Sequence, residues 1–350
     1  MKKIVPFLLL TTISTFGQTI KQDTYNKIKQ LAKYFPNGTE LSIGIIENSQ
    51  RIFYGLKKEN DSLVITSNQN KLFEIGSITK VFTAILIADL SNKGVVSLSD
   101  DLQKYYSFKI KYDNNQSKNI TILSLCNHTS GLPKNAPNSS REKSLNKKQL
   151  STYLKKGLKL EFETGSKFGY SNLGFAILGD ILCKSTKKTY SVLLKENILL
   201  PLKMLQTSSD KKNIDASLIV SGRDSTGNML QNPDYGVYES AGAILSSASD
   251  ILNFLDYNFF TKSSIDQDIL LAKQATYKIN DKVDIGLAWD IYYKENDTIY
   301  FHDGATTGYT SSLKFSQNRQ KGIIVLSNLS GVGQLYENID KISYVLLNEE

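Results

Sequence analysis

Two kinds of hydrophobic periodicity alternate along this 350-residue chain. Thr24 to Tyr34 carries apolar residues at helical spacing and runs into Pro36-Asn37-Gly38, a turn sequence. Leu41–Glu47 and Arg51–Leu56 flank Asn48-Ser49-Gln50 and predict a β-hairpin. From Ser77 to Leu90 the pattern changes. Val81, Phe82, Ala84, Ile85, Leu86, Ile87 and Leu90 leave almost no polar stripe, which predicts a helix buried nearly all round and stopped by Gly94. Helix and loop continue to about Val283, with helices expected at 121–127, 147–156, 171–185, 189–196 and 249–258. Strands return at Thr298–His302, Ser311–Phe315 and Gly322–Ser327, and Gln334 to Leu347 closes the chain as an amphipathic helix. Strands at both ends of a helical middle predict an α/β chain of the α+β kind. One antiparallel sheet is built from both chain ends, flanked by the terminal helices, with a large inserted helical lobe.

The expected partition is a signal peptide at 1–17 and a single domain at 18–350. Its sheet lobe covers about 18–76 and 284–350, and its helical lobe about 77–283. Lys2 and Lys3 precede an apolar run from Ile4 to Leu10, and Gly17 stands before Gln18 at a cleavage position. That pattern predicts export, to the periplasm or the medium. The run is too short for a stable membrane span, which takes about 20 residues, and no later stretch is apolar enough. Signal removal would lower the formal charge from +8 to +6. The excess is almost all lysine and no binding motif accompanies it, so nucleic acid is not an expected partner. Cys126 and Cys183 have two readings, a disulfide or small buried core residues, and the local sequence favours the second. His128 and His302 are the only histidines, too few for a several-histidine zinc centre, so neither metal nor cofactor is expected. The sequence leaves the oligomeric state open.

Ser77-Ile78-Thr79-Lys80 carries the candidate chemistry. It places a hydroxyl and an amine three residues apart on one helical face. A lysine held out of water can activate a serine as a nucleophile. The bland alternative is a buried helix that begins with a serine N-cap. The same spacing recurs at Ser144–Lys147, Ser185–Lys188, Ser208–Lys211 and Ser311–Lys314, so its context is what distinguishes Ser77. Tyr170-Ser171-Asn172 follows the turn residues Thr164-Gly165 and precedes an apolar helix. Its phenol can shuttle a proton and its carboxamide can hold a substrate amide. Tyr-x-Asn also occurs at Tyr112–Asn114 and Tyr336–Asn338. His302-Asp303-Gly304 stands on or just after a strand. Gly304 would let a substrate approach the backbone, and an N–H, from Ala305, would face a developing oxyanion.

These three motifs, in this order and 93 and 132 residues apart, resemble the serine β-lactamase and penicillin-binding-protein superfamily. The likeness is greatest to the class C β-lactamase-related branch, which also holds D,D-carboxypeptidases and esterases. His128-Thr129-Ser130-Gly131-Leu132-Pro133, Ser240-Ala241-Gly242 and Gly286-Leu287-Ala288-Trp289 are similar to further landmarks of that branch, and the likeness covers about residues 25–347. The resemblance implies a β-lactamase/transpeptidase-like fold. It makes Ser77 the acylated nucleophile, Lys80 its amine partner, Tyr170 the general base and acid, and Asn172 the holder of the substrate amide. The N–H groups of Ser77 and Ala305 would form the oxyanion hole. Whether Lys80 or Tyr170 takes the first proton stays open, as does the choice among a β-lactam, a D-Ala-type peptide and a small ester. His302, with Gly304, would bind substrate where lactamases of the branch carry Lys-Thr-Gly. A histidine is a cation only in acid, and Asp303 adds a negative charge beside it, which predicts poor carboxylate binding. His128 is expected to be structural. Glu142-Lys143-Ser144-Leu145-Asn146 matches a class A pattern but precedes Tyr170, so it is set aside as chance. The reading from a different class is a peptidoglycan-binding or scaffold protein on the same fold that does not turn over.

Overall fold

The computed structural model describes residues 20–112, 119–137, 139, 144–259 and 265–349. The expected signal peptide at 1–17 lies outside the described residues. Nine strands form the main sheet: β1 (Glu40–Glu47), β2 (Gln50–Glu59), β3 (Ser62–Ile65), β4 (Tyr277–Lys278), β5 (Val283–Ile285), β6 (Asp290–Lys294), β7 (Asp297–Ala305), β8 (Thr310–Ser316) and β9 (Lys321–Ser327). Their order is β3-β2-β1-β9-β8-β7-β6-β5-β4, antiparallel throughout. The pairing of β1 with β9, from Leu41 opposite Ser327 to Glu47 opposite Lys321, joins the two ends of the chain as expected.

The hairpin forms because Asn48 and Ser49 take positive φ angles of 48° and 66°, the twist a two-residue turn between antiparallel strands requires. Side chains alternate across β1 and β9. Ile43, Ile323 and Val325 pack with the terminal helices Gln22–Leu31 and Gln334–Leu347. Ile46, Ile324 and Leu326 join the larger core shared with the helical middle. Burial on both faces explains why these strands read as nearly continuous apolar runs.

Helix Thr79–Asn92 is buried at every position from Thr79 to Ala88. Gly94, at φ +70°, follows its end. Helix Asn172–Thr186 begins at Ser171, whose hydroxyl accepts from the N–H of Gly174. Four strands of the main sheet and helix Asp266–Lys273 are among the elements that escape the sequence pattern. Ser62–Ile65, Tyr277–Lys278 and Val283–Ile285 are too short to display a period, and Asp290–Lys294 is polar at both ends. Helix Asp266–Lys273 buries two aspartates and a lysine, which hides its inward face. The sheet consequently starts its second half at Tyr277, inside the stretch expected to be helix and loop.

Candidate active site

Phe73–Glu74 pairs with Leu245–Ser246, and the Ile75 N–H donates to the Ile244 carbonyl at 2.9 Å. The chain then turns sharply through Gly76, at φ +51°, into the short turn Gly76–Ile78 and the buried helix. Ser77 is half-buried, while every other residue from Leu72 to Ala88 is buried. It is not an N-cap: neither the turn nor the helix has a side-chain cap bond. Lys80, wholly buried, donates to Ser77 Oγ at 3.1 Å and to the Ala241 carbonyl at 2.7 Å. Its Nζ lies 5.0 Å from the centre of the Tyr170 ring and 5.6 Å from that of Phe175. The Ala241 carbonyl therefore aims the lysine. Ser240 fixes that segment through its own hydroxyl, which donates to the Phe175 carbonyl at 2.8 Å.

Tyr170 is set by the loop that starts at His128. The His128 carbonyl accepts from Gly169 at 2.8 Å, that of Thr129 from Gly165 at 2.7 Å and that of Gly131 from Glu161 at 2.8 Å. Gly131 sits at φ +78°, and a methyl group there would stand 2.1 Å from the Phe162 carbonyl oxygen. The His128 ring lies against that of Tyr170, centroids 4.4 Å apart and tilted by 36°, and its Nδ1 accepts the Ser171 N–H at 3.1 Å. Burial, with Lys80 nearby, holds His128 well below the usual imidazolium range, so it is a neutral platform for Tyr170. The same loop positions Asn172: its N–H donates to the Lys134 carbonyl at 2.8 Å and its carboxamide to Asn135 Oδ1 at 3.0 Å. Asn135 lies beside the motif in space, 37 positions away in sequence, and no spacing rule points to it.

Two expectations about the third motif change, those for Asp303 and Gly304, while His302 is the neutral strand histidine expected outside acid. His302 lies within β7, buried, with its Nδ1 2.8 Å from the Asp303 carbonyl. A carbonyl only accepts, so this nitrogen carries the proton and Nε2 the lone pair. Burial, and then Lys80, push the His302 imidazolium down to about 3. The ring is neutral at physiological pH and supplies no cation. Asp303 does not extend beside the imidazole: on the next strand position its carboxylate accepts from Ser312 at 2.6 Å and pairs with Lys314 at 3.4 Å. Gly304 admits the protein's own backbone. A methyl group there would lie 2.1 Å from the Ile75 carbonyl oxygen and 2.3 Å from Ser311 Oγ. A methyl on Gly76 would in turn lie 2.8 Å from the Ala305 nitrogen. These two glycines thus bring the Ser77 turn against Ala305. The Ser311–Lys314 repeat of the serine–lysine spacing is structural: Ser311 Oγ donates to Ile75 O at 2.9 Å, and Lys314 joins Asp303 to Asp340.

Of the class A-like segment, Glu142 and Lys143 lie outside the described residues. Ser144 donates to the Tyr235 carbonyl, and Asn146 caps helix Lys147–Lys156 through a reciprocal bond with Gln149. Cys126 and Cys183 are free thiols, the first buried and the second half-buried. Among the described residues no helix is long and apolar enough to cross a membrane, and no cluster of His, Cys, Asp or Glu is built to hold a metal.

Ser77 and Ala305 face two openings. One is a slot of about 40 Å³ bordered by Asn135, Asn172, Tyr235 and Tyr238. The other is an open cleft of about 650 Å³ lined by Tyr170, His302, Asp290, Asp303, Tyr336 and Lys134 among others. A serine hydroxyl bonded to a buried amine, flanked by a phenol and by a neighbouring strand, is equipped for attack on a carbonyl carbon.

This sheet, with a serine–lysine turn facing its strand β7, defines the serine β-lactamase and penicillin-binding-protein-like architecture. The chain belongs to the beta-lactamase family, whose model matches residues 36–342. Protein flp of Staphylococcus aureus (strain NCTC 8325 / PS 47) is 27% identical over 313 residues, 85% of this chain and 62% of that protein. The chain thus spans about three-fifths of the length of that relative. D-alanyl-D-alanine-carboxypeptidase/endopeptidase AmpH of Escherichia coli (strain K12) is 29% identical over 179 residues, 50% of this chain and 46% of that protein. The fold is similar to a class C beta lactamase from Rhodobacter sphaeroides, with TM-score 0.76, 18% identity, and coverage of 93% of this chain and all of that one. It is also similar to a beta-lactamase/D-alanine carboxypeptidase from Yersinia pestis, with TM-score 0.75, 19% identity, and coverage of 93% and 99%.

Proposed function

We propose that this protein is an exported serine hydrolase that forms an acyl-enzyme on Ser77. Its substrate is a small ester, a D-Ala-type peptide or a β-lactam. The observation that carries this reading is the 3.1 Å contact between Lys80 Nζ and Ser77 Oγ, made by an amine aimed from behind by the Ala241 carbonyl. In this mechanism Ser77 Oγ attacks the carbonyl carbon, and its proton passes to the Lys80–Tyr170 pair, which titrates as a unit. The N–H groups of Ser77 and Ala305 stabilise the oxyanion; losing one such donor costs about 10²–10³ in rate in other hydrolases. Tyr170 then protonates the leaving group. Since Tyr170 lines the open cleft, the leaving group departs into it, and Asn172 borders the narrow slot on the other side of Ser77. Water finally attacks the ester on Ser77, with Tyr170 as base. No step calls for a metal or cofactor. A small molecule or a peptidoglycan-like chain fits the open cleft, in the periplasm or outside the cell. A scaffold without turnover has no comparable observation in its favour.

The test is the intact mass of the protein after incubation with a penicillin and, separately, with an activated ester, beside Ser77→Ala. An adduct that requires Ser77 supports the reading. A persistent penicillin adduct points to a peptidase, and one that clears as hydrolysed drug accumulates points to a lactamase. Ester turnover alone points to an esterase. Equal hydrolysis by Ser77→Ala would remove Ser77 from the mechanism.

A further inference from the structure

The leaving-group half of the cleft is lined by hydrogen-bond acceptors. His302 donates from Nδ1 to the Asp303 carbonyl, which leaves its other ring nitrogen as a lone pair with no hydrogen-bond partner among the described residues. Asp290, on β6 opposite Phe301 of β7, lines the same cleft; its side chain makes no hydrogen bond or ion pair among the described residues. Burial, and then the neighbouring Asp303, push the Asp290 carboxyl up to about 7 against the opposing pull of Lys314. Asp303 completes the wall: one oxygen accepts from Ser312 and Lys314, the other from the Tyr336 hydroxyl at 3.4 Å.

The cations near this wall are engaged with the protein: Lys80, whose charge reaches His302, donates to Ser77 Oγ and the Ala241 carbonyl. Lys314 is buried behind Asp303 and is shared with Asp340 at 2.5 Å. Glu337, at the mouth, is matched by Lys341 at 3.3 Å. Lys134 borders the cleft but is exposed, where an ion pair is worth at most about 1 kcal/mol. A carboxylate placed past Tyr170 would meet the Asp290 carboxyl, the Lys314-paired Asp303 and an imidazole lone pair. An ammonium brings three donors to the same surface.

We propose, building on the hydrolase reading, that this half of the cleft selects a leaving group bearing an ammonium and rejects one bearing a carboxylate. The selectivity comes from His302 and Asp290, one supplying a neutral ring acceptor and the other a carboxyl with no hydrogen bond or ion pair of its own among the described residues. The reaction is ordinary ester cleavage: the Ser77 Oγ–acyl bond forms, the acyl–oxygen bond breaks, the departing oxygen takes a proton from Tyr170, and water releases the acid.

The test uses the full chain and three acetate esters of phenol, carrying a meta aminomethyl, carbamoyl or carboxyl group. We expect kcat/KM to fall in that order, with about tenfold or more between the ammonium and the carboxylate ester. The ratio should shrink as salt rises from about 50 to 500 mM. Asp290→Asn should reduce the ammonium preference over the neutral amide several-fold, and His302→Lys should raise the carboxylate ester above it. Equal rates for the three esters in the wild-type protein, or a faster carboxylate ester, overturn the proposal without needing any variant. If that carboxylate preference disappears in Lys134→Ala, the rim lysine sets the polarity instead. Ser77 separates the two levels of inference: turnover that survives Ser77→Ala, or no turnover at all, defeats the hydrolase reading itself and this inference with it. Ser77-dependent turnover with the wrong charge order defeats this inference alone.

Discussion

Gly304→Ala is a direct test of how the site is assembled. The added methyl would stand 2.1 Å from the Ile75 carbonyl oxygen and 2.3 Å from Ser311 Oγ. Normal packing of carbon against oxygen requires well over 3 Å, so Ile75 must retreat by about 1 Å. The φ of Gly304 is not in the left-handed region, so alanine suits the backbone and the cost is steric. Overpacking costs about 1–3 kcal/mol, and because one neighbour is backbone the upper half of that range applies. Losing a glycine's freedom in the unfolded chain returns about 0.4–1 kcal/mol, leaving a net loss of about 2 kcal/mol. Function should suffer more. Ile75 leads directly into the Ser77 turn, and a displacement of about 1 Å at a reacting atom costs roughly 10²-fold. Urea unfolding reads the first quantity, and the acylation rate with an activated ester reads the second. Adding Ser311→Ala removes the side-chain clash but not the backbone one, so it should restore less than half of the lost stability. A Gly304→Ala protein with wild-type stability and acylation would refute the claim that this glycine sets the nucleophile against β7.

Three further outcomes are expected. Tyr170→Phe keeps the ring against Lys80 and His128 but removes the proton carrier, so the far-UV spectrum and Tm should hold while kcat falls by about 10²–10⁴; unchanged turnover would exclude Tyr170 as acid or base. Lys314→Met leaves Asp303 and Asp340 without the cation they share and should cost about 2–3 kcal/mol in urea unfolding, allowing for the partial exposure of Asp340; Asp303→Asn added to it should recover part of that loss. The Asp290 carboxyl is raised from 3.8 to about 7 in the fold, so below about pH 4 it is protonated folded or unfolded and burying it carries no ionisation penalty. As pH rises from 4 to 7 the unfolded state ionises first and the native state loses ground. Asp290→Asn should therefore gain stability relative to wild type across that window and level off above it, and a Tm difference that is constant with pH would contradict this.

What could be read from the chain was whatever depended on local pattern. Helix Thr79–Asn92 has no polar stripe, and Asn48-Ser49 supplies the two positive φ angles of a tight hairpin, so both declared themselves. The order of the three motifs pointed to the correct family because each retains its own local context of turn, helix start or strand. The electrostatics were only partly legible. His302 could be recognised and its neutrality outside acid expected, but not that burial and the charge of Lys80, brought near by the fold, push its imidazolium down to about 3. Asp303 looked like a neighbour of that imidazole, yet strand alternation sends its side chain to Ser312 and Lys314. Gly304 advertised space; the structure fills that space with Ile75. The anchors of Lys80 and Asn172 were silent for another reason: they are the backbone carbonyls of Ala241 and Lys134, and a carbonyl leaves no trace in residue identity.

That last point bears on how the site can persist while its sequence changes. Ile75 O accepts from Ser311, Ala241 O from Lys80, Lys134 O from Asn172 and His128 O from Gly169. Four of the contacts that bring the motif segments together therefore end on atoms every residue possesses. Substitution at the accepting positions changes none of them, provided the backbone can still approach. Approach is what the glycines control: Gly76, Gly131 and Gly304 each leave less than 3 Å between an added methyl and a neighbouring backbone atom. The geometry of the nucleophile is thus specified by a few absences of side chain and by the pairing of β1 with β9 that closes the sheet. The side chains lining the two openings are comparatively free of that task. Charge selectivity in the cleft can change, through a residue such as His302 or Asp290, while Ser77 and Lys80 stay where they are.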